Sequence, residues 1–114
     1  MTTYNHQFWN ALDELIANSE IVIDRPKGSR HPKYPDFIYH LDYGYLKNTS
    51  SSDGEGIDVW VGSGQRKADA VMCIIDLTKK DSEIKILIGC TEEEKQIVYT
   101  THNTAFMKGI LIRR

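Results

Sequence analysis

The chain has 114 residues, 40% hydrophobic and 26% charged, with a net charge of −2 and a pI near 6.0. That size suits a single domain over 1–114, and the composition excludes a disordered or fibrous chain. With no positive excess, neither nucleic acid nor an anionic membrane surface is expected as a partner.

The opening MTTYNHQFWNALDEL lacks a secretory pattern, and no run approaches the roughly 18 apolar residues of a membrane span. A cytoplasmic protein is expected. Cys73 and Cys90, far apart and without a CxxC spacing, read as buried reduced thiols. Phe8, Trp9, Leu12, Leu15 and Ile16 recur at helical spacing and predict an amphipathic helix over roughly residues 5–18. Glu20 to Asp24 reads as a short strand stopped by Pro26 and Gly28. From Arg25 to Ser52 no period is sustained, so a long irregular loop is expected, and such loops are more often functional than idle.

Strands then dominate. Ile57 to Gly62 alternates apolar residues with others, Ala68 to Leu77 is nearly continuous in apolar residues, and Glu83 to Cys90 alternates again. Lys79 to Ser82 is the expected turn between the last two. Thr91 followed by three glutamates predicts a helix start, with Glu94 closing a capping box. That helix should run to about Asn103, where a charged His102 would suit the dipole. Lys108 to Arg114 reads as a closing strand. The expected class is α+β and mostly β: a small, curved sheet or barrel with a helix near each end of the chain.

Chemistry concentrates in DGEGIDVW, where Asp53, Glu55 and Asp58 crowd three carboxylates into six residues. Such crowding is either a solvated acidic turn or a cation site, because neighbouring carboxylates repel unless a cation neutralises them. Oxygen ligands without histidine or cysteine select Mg²⁺, Mn²⁺ or Ca²⁺ over zinc. Upstream, RPKGSRHPKYPDFIYHLDYGY supplies Arg25, Lys27, Arg30 and Lys33 among Tyr34, Tyr39, Tyr43 and Tyr45. Tyr34 and Tyr45 are read as packing residues. Cations beside phenol hydroxyls suit an anionic phosphate. Basic residues among aromatics also serve RNA, but such sites rarely adjoin an acidic triad without a metal. The two stretches together point to metal-assisted chemistry on phosphate.

The order VIDRPKGS, KYP, YHLDYGYL and DGEGIDVWV resembles the family I soluble inorganic pyrophosphatases, over about residues 20–62 and more weakly to about 90. The resemblance implies a five-stranded barrel of OB type and Mg²⁺-dependent hydrolysis of pyrophosphate, with Mn²⁺ as a substitute. It places Asp24 on an active-site glutamate, Lys33 on a phosphate-binding lysine, and Tyr39 and Tyr43 on a tyrosine pair. Asp53 and Asp58 fall on metal-ligating aspartates, and Glu55 on the aspartate that activates water. Glu83 and Lys85 fall on a further metal ligand and a lysine, with Asp81 a shifted alternative ligand. The family's arginine lies in a stretch deleted here and has no clear counterpart; Arg25 or Arg30 would replace it only by geometry.

Glu55 and Gly56 replace Asp-Pro, and Lys79 or Lys80 lies near a further metal aspartate's place. His102, Asn103 and Lys108 stand where the family offers Tyr-Lys. Two alternatives stay open: hydrolysis of another small diphosphate, and a non-catalytic module that binds metal or phosphate. A short chain with one long loop is also open to pairing as a homo-oligomer.

Overall fold

The computed structural model describes residues 3–52 and 54–114. In chain order its elements are α1 (Thr3–Ala17), β1 (Ile21–Arg25), β2 (Asp42–Leu46), β3 (Ile57–Val61), β4 (Ala68–Asp76), β5 (Asp81–Ile88), α2 (Glu92–Thr101) and β6 (Met107–Arg113). The strands form one sheet in the order β1-β2-β3-β5-β4-β6. Every neighbouring pair is antiparallel except β3 with β5, which is parallel. The class is therefore the expected α+β, mostly β, with a helix near each end. Among the described residues no helix is long and apolar enough to cross a membrane.

The sheet has six strands rather than five, and its outer strands β1 and β6 are not paired to close a barrel. The added strand is β2, in the stretch expected to be irregular. Its centre is Gly44, where a Cβ would overlap the Val22 carbonyl of β1. Glycine there lets the two backbones approach, and it also erases the alternation that would mark a strand. The rest of the loop keeps one bridge, Arg30 with Ile38.

Alternation sorts the side chains onto two faces, each with its own helix. Under α1 lie Leu46, Val59, Val61, Ala68, Val71, Ile86 and Ile88, packed by Trp9 and Leu12. On the other face, Trp60, Ala70, Met72, Ile74 and Leu87 meet Val98 of α2, with Tyr39 and Leu41 of the loop. The capping box of α2 is present: Thr91 Oγ1 accepts from Glu94 N–H at 3.2 Å, and Thr91 N–H donates to Glu94 Oε1 at 2.9 Å. Cys73 and Cys90 are free thiols.

Candidate active site

On the α2 face, three strands aim polar side chains at one point. Tyr43 of β2 stands opposite Trp60 of β3, and Trp60 opposite Leu87 of β5. Asp58 and Lys85, each two residues earlier on its strand, therefore share that face. Tyr43 Oη donates to Asp58 Oδ2 at 2.8 Å, and Lys85 Nζ donates to Tyr43 Oη at 2.6 Å and to Asp58 Oδ2 at 2.8 Å. Glu83 Oε2 lies 3.6 Å from the same ammonium. Lys85 is only 6% exposed, and such burial is tolerable because the charge is paired and hydrogen-bonded. Burial, with the Asp58 carboxylate beside it, pushes the Tyr43 phenol well above its ordinary range, so it stays neutral.

Aromatic packing holds this cluster in place. The Tyr43 ring meets Trp60 edge-on at 4.6 Å and Tyr39 at 5.2 Å. Trp60 Nε1–H donates to His102 Nε2 at 3.0 Å. His102, expected as a charged residue at a helix end, is instead buried at 5% exposure, and burial lowers its pKa to about 3. With Nε2 accepting, its proton sits on Nδ1, which is buried without a partner.

A basic pole adjoins. Burial raises the Tyr39 phenol, against the opposing pull of the Arg25 charge. His31 stacks near Tyr39 with ring centroids 6.3 Å apart. Its pKa is lowered by burial and by the charges of Arg25, Lys33 and Lys79.

A family model, Inorganic Pyrophosphatase, matches residues 15–111. The chain belongs to the inorganic pyrophosphatase family. Membership makes it a hydrolase by class. No curated protein sequence matches. Among solved structures, an inorganic pyrophosphatase from Neisseria gonorrhoeae is similar at a TM-score of 0.60 and 18% identity, over 77% of each chain. An inorganic phosphatase from Anaplasma phagocytophilum is similar at 0.57 and 14%, over 82% of this chain and 81% of that one. The Helicobacter pylori inorganic pyrophosphatase gives 0.58 and 14%, over 85% and 84%. At such identities these likenesses speak for the fold alone.

Of the residues picked from the pyrophosphatase pattern, the structure gathers Tyr43, Asp58, Glu83 and Lys85 at one point, with Tyr39 packed alongside. Asp24 is exposed and 3.6 Å from Arg25. Arg30 donates to the Pro35 carbonyl at 2.8 Å, and Lys33 is exposed with its N–H on His31 Nδ1 at 3.0 Å. Glu55 lies in the exposed turn before β3; Asp53 falls outside the described residues. Tyr34, expected to pack, is 66% exposed beside His31.

Among the described residues no three histidine, cysteine or acidic side chains converge as a ready metal site. The donor chemistry nonetheless fits a hard cation. Asp81, Glu83 and Lys85 recur at every second residue of β5 and so share a face, and Asp81 Oδ1 is buried without a partner. An orphaned buried carboxylate oxygen is costly unless a cation meets it. Arg25, one of the two arginines considered in place of the family's, reaches the site because an irregularity in β1 sets it opposite Tyr43. One feature escaped the motif reading: the Trp60–His102 bond joins residues 42 apart and leaves no local pattern.

Proposed function

We propose that the chain hydrolyses inorganic pyrophosphate to two phosphates by attack of water, with Mg²⁺ as cofactor and Mn²⁺ as a substitute. The carrying observation is the convergence of Tyr43, Asp58 and Lys85 from three strands, beside a basic pole around His31. A diphosphate needs cations and donors for its oxygens and carboxylates to hold a counter-cation, and this is where the two meet.

In this reading Lys85 spends two donors on Tyr43 and Asp58. Its third faces Glu83 at 3.6 Å, too long for a good hydrogen bond, and so is available to a phosphoryl oxygen. Tyr43 stays protonated and fixes the Asp58 carboxylate. Tyr39, Arg25, Arg30 and Lys33 hold the far phosphate, and Glu55 orients or deprotonates the attacking water. Asp58, Glu83 and Asp81, with Asp53 of the preceding turn and Asp24, are the carboxylates assigned to the metal. When bound, Mg²⁺ would neutralise substrate charge and lower the pKa of a bound water, easing its deprotonation by Glu55. The chain acts as one domain over 1–114 without nucleic acid or membrane, and its free thiols suit a reducing, cytoplasmic setting.

One observation favours a second reading, binding without turnover: Asp58 already carries a lysine ammonium at 2.8 Å. Phosphate release from pyrophosphate with Mg²⁺ and with Mn²⁺, for wild type and Asp58→Asn, separates the two. The enzyme predicts metal-dependent release that falls by about 10²-fold or more in the variant. Absence of release from a wild type that still binds pyrophosphate establishes the second reading.

A further inference from the structure

Aromatic rings run in file from the candidate active site to the surface. Tyr39 lies 5.2 Å from Tyr43, His31 lies 6.3 Å from Tyr39 with the two planes 13° apart, and Tyr34 lies 5.0 Å from His31. Phe37 flanks the file, 5.0 Å from Tyr39 and 6.0 Å from His31. Exposure rises along it: Tyr39 is buried, His31 half-buried, and Tyr34 stands 66% exposed.

The turn that carries Tyr34 is fixed. His31 N–H donates to the Phe37 carbonyl and Phe37 N–H to the Tyr34 carbonyl, both at 2.9 Å, while the Arg30 guanidinium donates to the Pro35 carbonyl at 2.8 Å. Pro32 and Pro35 restrict the backbone further. A ring presented so rigidly costs a ligand little ordering. The charges of Arg25, Lys33 and Lys79 all bear on His31. Among the described residues, only Arg25 of these three has a carboxylate within ion-pair distance, Asp24 at 3.6 Å. Cations left unneutralised favour an anionic guest, and the exposed ring beside them favours a flat one.

Resting on the diphosphate chemistry proposed above for Tyr43, Asp58 and Lys85, we propose that the site takes nucleoside diphosphates, with the base stacked on Tyr34. The terminal phosphate meets Lys85, the inner phosphate meets Arg25 and Lys33, and the ribose leads out to the ring that follows Lys33 in the chain. Inorganic pyrophosphate offers Tyr34 nothing to stack. Water attacks the terminal phosphorus, and as the new P–O bond forms, the bond from that phosphorus to the bridging oxygen breaks. The nucleoside monophosphate leaves with the electron pair, and the water proton passes to Glu55. A nucleic-acid strand can also stack on aromatics, but this file leads inward to a lysine that is 6% exposed. Such a blind end suits a ligand with one base and a phosphate terminus.

Titration calorimetry of the full chain with Mg²⁺ tests this, using two ligands that resist hydrolysis, α,β-methylene-ADP and methylenediphosphonate. Tyr34→Leu should weaken the nucleotide about ten-fold and leave methylenediphosphonate unchanged, which also shows that the variant is folded. Tyr34→Phe keeps the ring and should bind both as wild type does. In turnover, Tyr34→Leu should raise KM for ADP about ten-fold with kcat unchanged. Equal losses for the two ligands, or no loss for either, overturn the proposal. So does an oligoadenylate without a terminal diphosphate that binds as tightly and loses as much in Tyr34→Leu. Binding that depends on Tyr34, in a chain that turns over neither ADP nor pyrophosphate, supports the subsite and overturns the catalytic reading. Pyrophosphate turnover without such binding does the reverse.

Discussion

The two faces of the sheet handle burial in opposite ways. Under α2, the face takes in a lysine, a tyrosine hydroxyl and two carboxylates, and hides the lysine almost completely. Under α1, nothing polar is buried at the centre, yet isoleucines stand half in water. The α2 face tolerates charge because Lys85, Tyr43 and Asp58 satisfy one another within 2.8 Å. On the α1 face, burial is concentrated where Trp9 and Leu12 of the helix cover the sheet, and the exposed isoleucines lie outside that cluster. The difference teaches where each face is vulnerable: one to the loss of a single partner, the other hardly at all.

The largest effect should come from Lys85→Met, which removes the ammonium from between two carboxylates. Stability should fall by roughly 3 kcal/mol and pyrophosphate turnover by about 10³-fold, read by urea unfolding and phosphate release. Adding Asp58→Asn should recover much of the stability and none of the turnover, because a buried unpaired charge, rather than a lost contact, is what destabilises. Its neighbour Ile84, pointing to the opposite face, sharpens the contrast: Ile84→Ser should change monomer stability by no more than about 0.5 kcal/mol. If Ile84→Ser costs as much as Lys85→Met, the account of the two faces is wrong.

His102 supplies the next effect and a sign. Its pKa is lowered from 6.5 to about 3 in the folded chain, so the unfolded chain takes up the proton first. This contribution is complete above about pH 6.5 and is lost as pH falls toward 3. Between pH 6.5 and 5 the wild type should lose roughly 2 kcal/mol that His102→Gln does not lose. Glutamine can still accept from Trp60 Nε1 but does not titrate in that window. Urea midpoints across the range check it; parallel slopes for the two proteins would place His102 in water.

Much of this was legible in the residues. The helical spacing of Trp9, Leu12 and Ile16, the apolar run of β4 and the Thr91–Glu94 box are local signals, and local physics delivered those elements. Strand β2 was hidden because Asp42 and Gly44 occupy positions where an apolar residue would have marked the inner face. The open sheet was illegible for a different reason: closure depends on whether β1 and β6 meet, which no single segment encodes. At the candidate site, motif order pointed to Tyr43, Asp58 and Lys85, but not to their mutual bonds. Those follow from the parallel pairing of β3 with β5, a long-range event. His102 misled because its place at the end of α2 suggested a charged residue in water, whereas the helix sets its last turn against Trp60.

The smallest effects should distinguish how the two helices are tied to their faces. The start of α2 is held by uncharged geometry and one carboxylate: Thr91 Oγ1 caps Glu94 N–H, and Glu94 also accepts from Ser63 N–H at 3.1 Å. Helix α1 is tied to the chain's end by Arg114, whose guanidinium donates to Asp13 at 2.7 and 2.8 Å and lies 5.7 Å from the Trp9 ring. Hydrogen bonding by Arg114 holds the Asp13 carboxyl below its ordinary range, but the pair is open to solvent and its worth is correspondingly screened. Thr91→Ala should therefore cost about 1 kcal/mol, almost independent of salt. Asp13→Asn should cost about 0.5 kcal/mol in dilute buffer and close to nothing in about 1 M salt, where charges are screened within about 3 Å. Urea unfolding of both variants at the two salt concentrations decides it. An Asp13→Asn cost that persists in high salt would mean that Arg114 secures α1 through the Trp9 ring and the Ala68 carbonyl, to which it donates at 3.2 Å, rather than through charge.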